Sequence, residues 1–166
     1  MARRLSERFR SLRATLALLC VSMASVAAQD AVLVPLTERA VGAERIIVGR
    51  VAQINPLWRV NEFGDRLIVS RVRFTVDETL KGPAQSTLDI EVEGGSIGGL
   101  TLRVSDQEPL SPGDRGVFYV ARDSQGMFVP HLRGQGFLRL DSAGRVPNSG
   151  LTLDEIRRTV ASARGR

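Results

Sequence analysis

The chain has 166 residues, with 23 basic and 18 acidic side chains, a net charge of +5 and one cysteine. Five of the basic residues and one acidic residue fall within the first 28 positions, so 18 basic and 17 acidic side chains remain for the rest. A nearly neutral body excludes a charge-driven binder of nucleic acid or anionic membrane. Cys20 lies in the same N-terminal stretch, which excludes disulfide staples and thiol chemistry from everything after it.

The N-terminus reads as an export leader. Arg3, Arg4, Arg8, Arg10 and Arg13 form a basic region, Ala14 to Val26 an apolar run, and Val26-Ala27-Ala28 the small residues of a cleavage position. Cleavage is expected after Ala28, giving a periplasmic or secreted product. The apolar run is shorter than the roughly 20 residues that span a bilayer, so no stable membrane anchor is expected once the leader is gone. Leu19 precedes Cys20 where a lipoprotein would carry a small residue. About 138 residues then remain, enough for one domain with its own core. The expected organisation is a leader over 1–28, a barrel-like β domain over 29–150 and a C-terminal helix over 151–166.

After a loose lead-in, Pro35 to Val41 reads as a short helix with Thr37 as its N-cap and Gly42 as its stop. Ile46 to Ile54 reads as the first strand, with Gly49 marking a bulge or a close backbone approach. Asn55-Pro56 is expected to break it. Residues 61–65 then turn the chain into the longest period-two stretch in the sequence. Ile68, Ser70, Val72, Phe74, Val76, Glu78 and Leu80 fall on one face, and a mostly polar row beginning at Leu67 and Val69 falls on the other. Lys81-Gly82-Pro83 ends this strand. The first two strands are read as a hairpin with an irregular tip.

Thr87 to Glu93 alternates cleanly. Leu88, Ile90 and Val92 face one way, while Asp89, Glu91 and Glu93 give an outer face expected to be solvated. Gly94 to Gly99 is expected to be a flexible connection, Leu100 to Val104 a short strand, and residues 105–115 a turn-rich loop. Gly116 to Ala121 is apolar on both faces and belongs at the centre of a sheet. Asp123 to Gly126 is a hairpin turn, Met127 to Val129 returns from it, and Gly136 to Leu140 is a last short strand. Thr152 and Glu155 form a capping box ahead of an apolar stripe at Leu153, Ile156 and Val160. The fold class that follows is mainly β: an OB-like or small antiparallel barrel or sandwich with a short N-terminal helix and a C-terminal helix.

No constellation carries a named chemistry. Gly94-Gly95-Ser96-Ile97-Gly98 matches the letters of a nucleophile elbow, and Asp106 or Asp114 with His131 would complete the order. However, Leu100 to Val104 reads as a strand where an elbow needs a helix. His131 is the only histidine, too few for a metal site. The glycines are not followed by the Gly-Lys-Ser/Thr of a phosphate loop. No catalytic residue, cofactor or metal ligand is therefore assigned. Trp58 and Phe63, in the connection between the first two strands, either anchor a partner or lid the open end of a barrel. Together with Ser96 and Ile97 they form the candidate binding surface.

Several motifs in this order carry a resemblance. They are Val48-Gly49-Arg50-Val51, Leu80-Lys81-Gly82, the Gly94-Gly95 and Gly98-Gly99 pairs, Gly113-Asp114-Arg115 and Gly134-Gln135-Gly136-Phe137. Over roughly residues 36–140 the pattern resembles a family of small exported bacterial proteins of unassigned function. That resemblance implies an association with secreted proteases. Val48 to Val51 and Leu80-Lys81-Gly82 are also similar to the netrin-like domain of tissue inhibitors of metalloproteases, which implies an OB-type barrel. Those inhibitors use an N-terminal cysteine on the target's zinc, and here no cysteine follows the leader, so their mechanism does not transfer. The expected function is an exported, non-enzymatic binding or accessory module. The alternatives are a protease-associated, inhibitor-like or pro-segment-like module and, more remotely, a small serine hydrolase.

Overall fold

The structure, a computed structural model, describes residues 33–164; the leader, its cleavage position and the last two residues lie outside the described residues. The chain is mainly β with a helix near each end. Helix α1 spans Leu36–Gly42. The strands are β1 Arg45–Val60, β2 Arg66–Lys81, β3 Thr87–Glu93, β4 Gly95–Ile97, β5 Leu100–Leu102, β6 Arg115–Arg122, β7 Phe128–Pro130 and β8 Phe137–Arg139. Helix α2, Leu153–Arg164, follows them. The main sheet is antiparallel in the order β3-β2-β1-β6-β7, with β8 also paired to β6, and β4 with β5 forms a separate hairpin. The sheet coils until β3 and β7 lie side by side, but no ladder joins them, so it does not close into a barrel.

Two cores lie on opposite faces of this sheet. On the inner face Ile47, Val51, Val72, Phe74, Leu88, Ile90, Phe118 and Val120 form one cluster. Phe118 stands between Phe74 and Phe137, with ring centroids 4.1 and 4.6 Å away. On the outer face Ile46, Val48, Val117 and Tyr119 meet the two helices through Ala40, Ala43, Leu153, Ile156 and Val160. Strand β6 is therefore buried on both sides, as its unbroken apolar run requires.

The long strand β2 occupies the residues expected, but its apolar stripe is divided between the two cores. Gly49 pairs with Val76 whereas Val48 pairs with Glu78, so Asp77 is an extra residue in the ladder. A bulge of this kind shifts the alternation by one. Val72 and Phe74 stay inside, while Leu80 joins the helix-side core. Glu78 likewise meets α2, taking the Arg157 guanidinium at 2.6 Å.

Other expectations are corrected. Strand β1 runs through Asn55-Pro56, with Pro56 opposite Ser70. It can do so because β6 pairs with β1 only from Arg45 to Arg50; beyond that β1 is an edge, where a missing N–H costs no ladder bond. Thr37 does not cap α1: Pro35 takes the N-cap position and no side chain caps it. The other end of α1 is held by Lys81, whose ammonium donates to the carbonyls of Ala40, Val41 and Ala43 at 2.8, 3.0 and 2.7 Å. The C-terminal capping box forms as read: Thr152 N–H donates to Glu155 Oε2 at 2.8 Å and Glu155 N–H to Thr152 Oγ1 at 3.3 Å.

Candidate functional site

Residues 94–99 are not a flexible connection. Gly98 and Gly99, both at positive φ (57° and 82°), make the two-residue turn that joins β4 to β5. The hairpin folds back onto the inner face of the sheet. Gly94 N–H donates to Ile68 O at 2.9 Å, and the buried Ser70 hydroxyl donates to Gly94 O at 2.8 Å. A Cβ on Gly95 would stand 2.6 Å from Ser70 Oγ, so only glycine lets the hairpin come this close.

The loop after β5 is also fixed in place. Arg139 joins Glu108 at 3.0 Å and also pairs with Asp114. Arg133 joins Asp106 at 3.2 Å and Glu93 at 3.0 Å. Gly134 presses so closely on the Asp106 carbonyl that no side chain fits there.

Sheet, hairpin and loop enclose a groove of about 510 Å³. Its apolar wall comes from Ile54, Val72, Val92, Leu102, Val104 and Leu110, with Ser96, Thr101, Arg103 and Glu108 contributing polar groups. A second cavity of about 260 Å³ adjoins it at Glu93 and Gln107, which line both. Its apolar part is Leu67, Val69, Val129 and Pro130, and its charged part is Arg59, Arg133, Glu62, Glu91, Glu93 and Asp123.

Glu91 was expected on a solvated face and is instead 4% exposed. The sheet coils far enough to bring Arg59 of β1 onto it, while Arg71 of β2 reaches it at 2.9 Å. A buried carboxylate needs such partners. Its neighbour Asp89 behaves as expected for a surface pair. Arg73 donates two bonds to it at 2.7 Å and holds its carboxyl below the usual range. No pattern in one strand marks Glu91 apart from Asp89; the difference is made by Arg59, which is 32 residues away in sequence.

The predicted site residues are not gathered in one place. Ser96 lines the groove, its hydroxyl 2.8 Å from that of Thr101. Ile97 is half-buried next to it and does not line the groove. Trp58 is half-buried, with the Arg66 guanidinium 4.3 Å above its ring. Phe63 is 80% exposed at the tip of the β1–β2 hairpin, and neither aromatic lines either cavity. The His131 ring lies against Gly42 at the end of α1, and the His131 backbone N–H donates to Tyr119 O at 2.8 Å. Burial, assisted by Lys81, holds its imidazole below the usual value. No hydrogen bond joins Ser96 to His131 among the described residues, and no group of three or more His, Cys, Asp or Glu side chains there is placed to hold a metal.

One further buried cation belongs to α1 itself. Arg39 donates to Val34 O at 2.7 Å and Gln135 O at 3.0 Å, and burial lowers its pKa. Near it the Tyr119 phenol, fully enclosed, is pushed up to about 12, chiefly by burial. Arg39, together with the Val34 N–H that donates to Gln135 Oε1 at 2.8 Å, fastens the chain before α1 to the Gly134-Gln135-Gly136 loop, which gives that motif a structural role.

No family model matches the chain, and no curated protein matches it in sequence.

Proposed function

We propose that the chain is an exported binding module whose ligand occupies the groove beneath the β4–β5 hairpin. The observation that carries the reading is the groove itself: a concave, mostly apolar surface of about 510 Å³ with a few polar groups at its margin. Sites for small molecules and peptide segments have this size and character. The glycine turn and the arginine-pinned loop hold its walls in place, so little ordering is left for a ligand to impose. The Ser96 hydroxyl is turned to Thr101 and His131 to the end of α1, which supports binding rather than acyl transfer. The strand order, with β3 and β7 brought together but unpaired, supports an OB-type barrel left open along one seam. Export rests on the leader-like N-terminus.

The test is amide chemical-shift mapping with an end-blocked decapeptide of alternating leucine and serine. Saturable shifts are expected at Ile54, Val92, Leu102 and Leu110, and they should vanish in Leu102→Arg and in Thr101→Arg, which projects from the exposed hairpin. Shifts scattered over the surface, or unchanged in both variants, would overturn the groove as the site. Mass spectrometry of the exported fraction tests the leader, with a first residue of Gln29 expected.

A further inference from the structure

We infer that the chain self-associates through the free edge of β1, a second copy laying its own residues 54–60 antiparallel to the first about a two-fold axis at Leu57. The inference is independent of the groove reading. It rests on which backbone groups this edge leaves open and on how those groups match their own image.

From Gln53 to Val60 strand β1 pairs with β2 in unbroken register, and β6 pairs with it only as far as Arg50. Asn61 N–H donates to Asp65 O across the hairpin. The alternation of an antiparallel ladder therefore turns the backbone groups of Gln53, Asn55, Leu57 and Arg59 toward β2, and those of Ile54, Pro56, Trp58 and Val60 away from it. The other side of β2 agrees: Ile68, opposite Trp58, gives its carbonyl to Gly94 N–H. At Val51 the outward groups are taken by Asp114 O and Gly113 N–H. Beyond it the N–H groups of Ile54, Trp58 and Val60, and the carbonyls of these three and of Pro56, have no partner among the described residues. Gln53, Asn55, Pro56 and Val60 are exposed, so the edge faces solvent. A row of unpaired groups of this kind is a template for another strand.

The strand that fits this edge is its own copy. With Leu57 on the axis, Ile54 lies opposite Val60 of the second copy and Pro56 opposite its Trp58. Ile54 N–H then meets Val60 O, Val60 N–H meets Ile54 O, and Trp58 N–H meets Pro56 O. Every free donor of both copies finds a carbonyl. Pro56 lacks a donor and so leaves only the Trp58 carbonyl unmet. No neighbouring axis does as well. At Pro56 it would set Val60 opposite Ala52, in the β1 bulge, and at Trp58 it would set Ile54 opposite Glu62, in the hairpin turn. The side chains agree with the backbone. On one face Ile54 meets Val60, which is 57% exposed, and Pro56 meets Trp58. On the other Leu57 meets its own copy, Asn55 faces Arg59 and Gln53 faces Asn61, so no like charges lie opposite one another. The ladder also ends where strand runs out, because Gly113 and Asp114 occupy the edge at Val51 and the hairpin turns at 62–64. Such a contact is isologous and closes on two copies.

The test combines sedimentation equilibrium, amide exchange and cysteine cross-linking on the purified protein. A monomer–dimer equilibrium is expected with a Kd of about 10 μM, as a small contact gives. Exchange at the Ile54, Trp58 and Val60 amides should slow as protein concentration rises, while Gln53, Leu57 and Arg59, already bonded to β2, should not change. Val60→Pro removes an outward donor and no ladder bond, as Pro56 does already, and should raise the Kd about tenfold. For cross-linking, Cys20→Ser makes an introduced thiol the only one in the chain. Across an axis at Leu57 the two Cα atoms stand about 4.5 Å apart, within disulfide reach, whereas position 55 and its copy are four residues out of register, about 13 Å apart. Leu57→Cys is therefore expected to give a covalent dimer on oxidation and Asn55→Cys to stay monomeric. A chain that remains monomeric at every concentration, with those three amides unprotected, would overturn the inference and leave the edge to a strand from another protein. Equal cross-linking at 55 and 57 would mark random collision, and a dimer unaffected by Val60→Pro would lie on another surface; either result overturns this one.

Discussion

Gly49 lies directly against the backbone carbonyl of Thr75: a Cβ at position 49 would stand 2.6 Å from Thr75 O. Here the two strands leave no room for a side chain, and one residue of β2 slips out of register. The glycine, the bulge and the division of the β2 stripe between two cores are one arrangement. Without the slip, Leu80 would face the inner core and α2 would lose part of its seat.

Gly49→Ala is therefore expected to destabilise the protein by about 1–3 kcal/mol, the range for overpacking a fixed site. Urea denaturation measures it. A change within about 0.5 kcal/mol, the size of an ordinary surface substitution, would mean that the close approach does not set the register.

Two acids on the same strand should respond differently. Glu91→Ala leaves Arg59 and Arg71 facing a buried gap, and a loss of about 2–3 kcal/mol is expected, below the full cost of an unpaired buried charge because Arg71 is 46% exposed. Asp89→Ala removes an exposed pair with Arg73 and should cost no more than about 1 kcal/mol. Thermal denaturation of the two variants side by side checks the contrast. Equal losses would contradict the burial of Glu91.

Lys81 holds the C-terminal end of α1 through three carbonyls. Lys81→Met keeps the stem and removes the donors. Amide hydrogen exchange in α1 should accelerate, with a loss of about 1–3 kcal/mol for bonds to a charged donor. Unchanged protection across Leu36–Gly42 would show that the helix is held by packing alone.

His131 gives a pH dependence whose sign is fixed by its surroundings. Burial and Lys81 lower its folded pKa below the ordinary value of 6.5, so the unfolded chain takes up the proton more readily. Its contribution is complete above pH 6.5 and is lost as pH falls through that value toward the folded pKa. Denaturation midpoints between pH 7.5 and 5.5 should decline on acidification, and His131→Gln should flatten the decline. A steeper decline in the variant would reverse the assignment. Lys81→Met should itself raise the His131 pKa, which a proton NMR titration reads directly.

Local regularities were legible where a residue's surroundings are set by its own segment. Alternation along Ile68 to Phe74 marked β2, the two-sided apolar run of Gly116 to Ala121 marked the central strand, and Thr152 with Glu155 marked the start of α2. The Asn55-Pro56 break was misplaced because proline opposes a strand only where its missing donor faces another strand. Whether a neighbour is there depends on where β6 ends. The 94–99 stretch was read as flexible from its glycines, yet two of them serve a tight turn and a third permits contact with Ser70. Of the candidate site residues, Ser96 lines the groove, while Ile97, Trp58 and Phe63 do not. Gln107 and the walls built by Leu102 and Leu110 carried no pattern that would set them apart.

By itself the sequence determined the mainly β composition, the helix at each end, the central strand and the near-neutral charge of the body, because periodicity, capping and composition act over a few residues. Tertiary structure alone decided that Glu91 is buried between two arginines, that the β2 stripe serves two cores, and that a groove opens beside an acid-lined cavity. These depend on strand register, on the slip at Asp77 and on how far the sheet coils, which bring together groups 20 to 40 residues apart whose proximity no local pattern records.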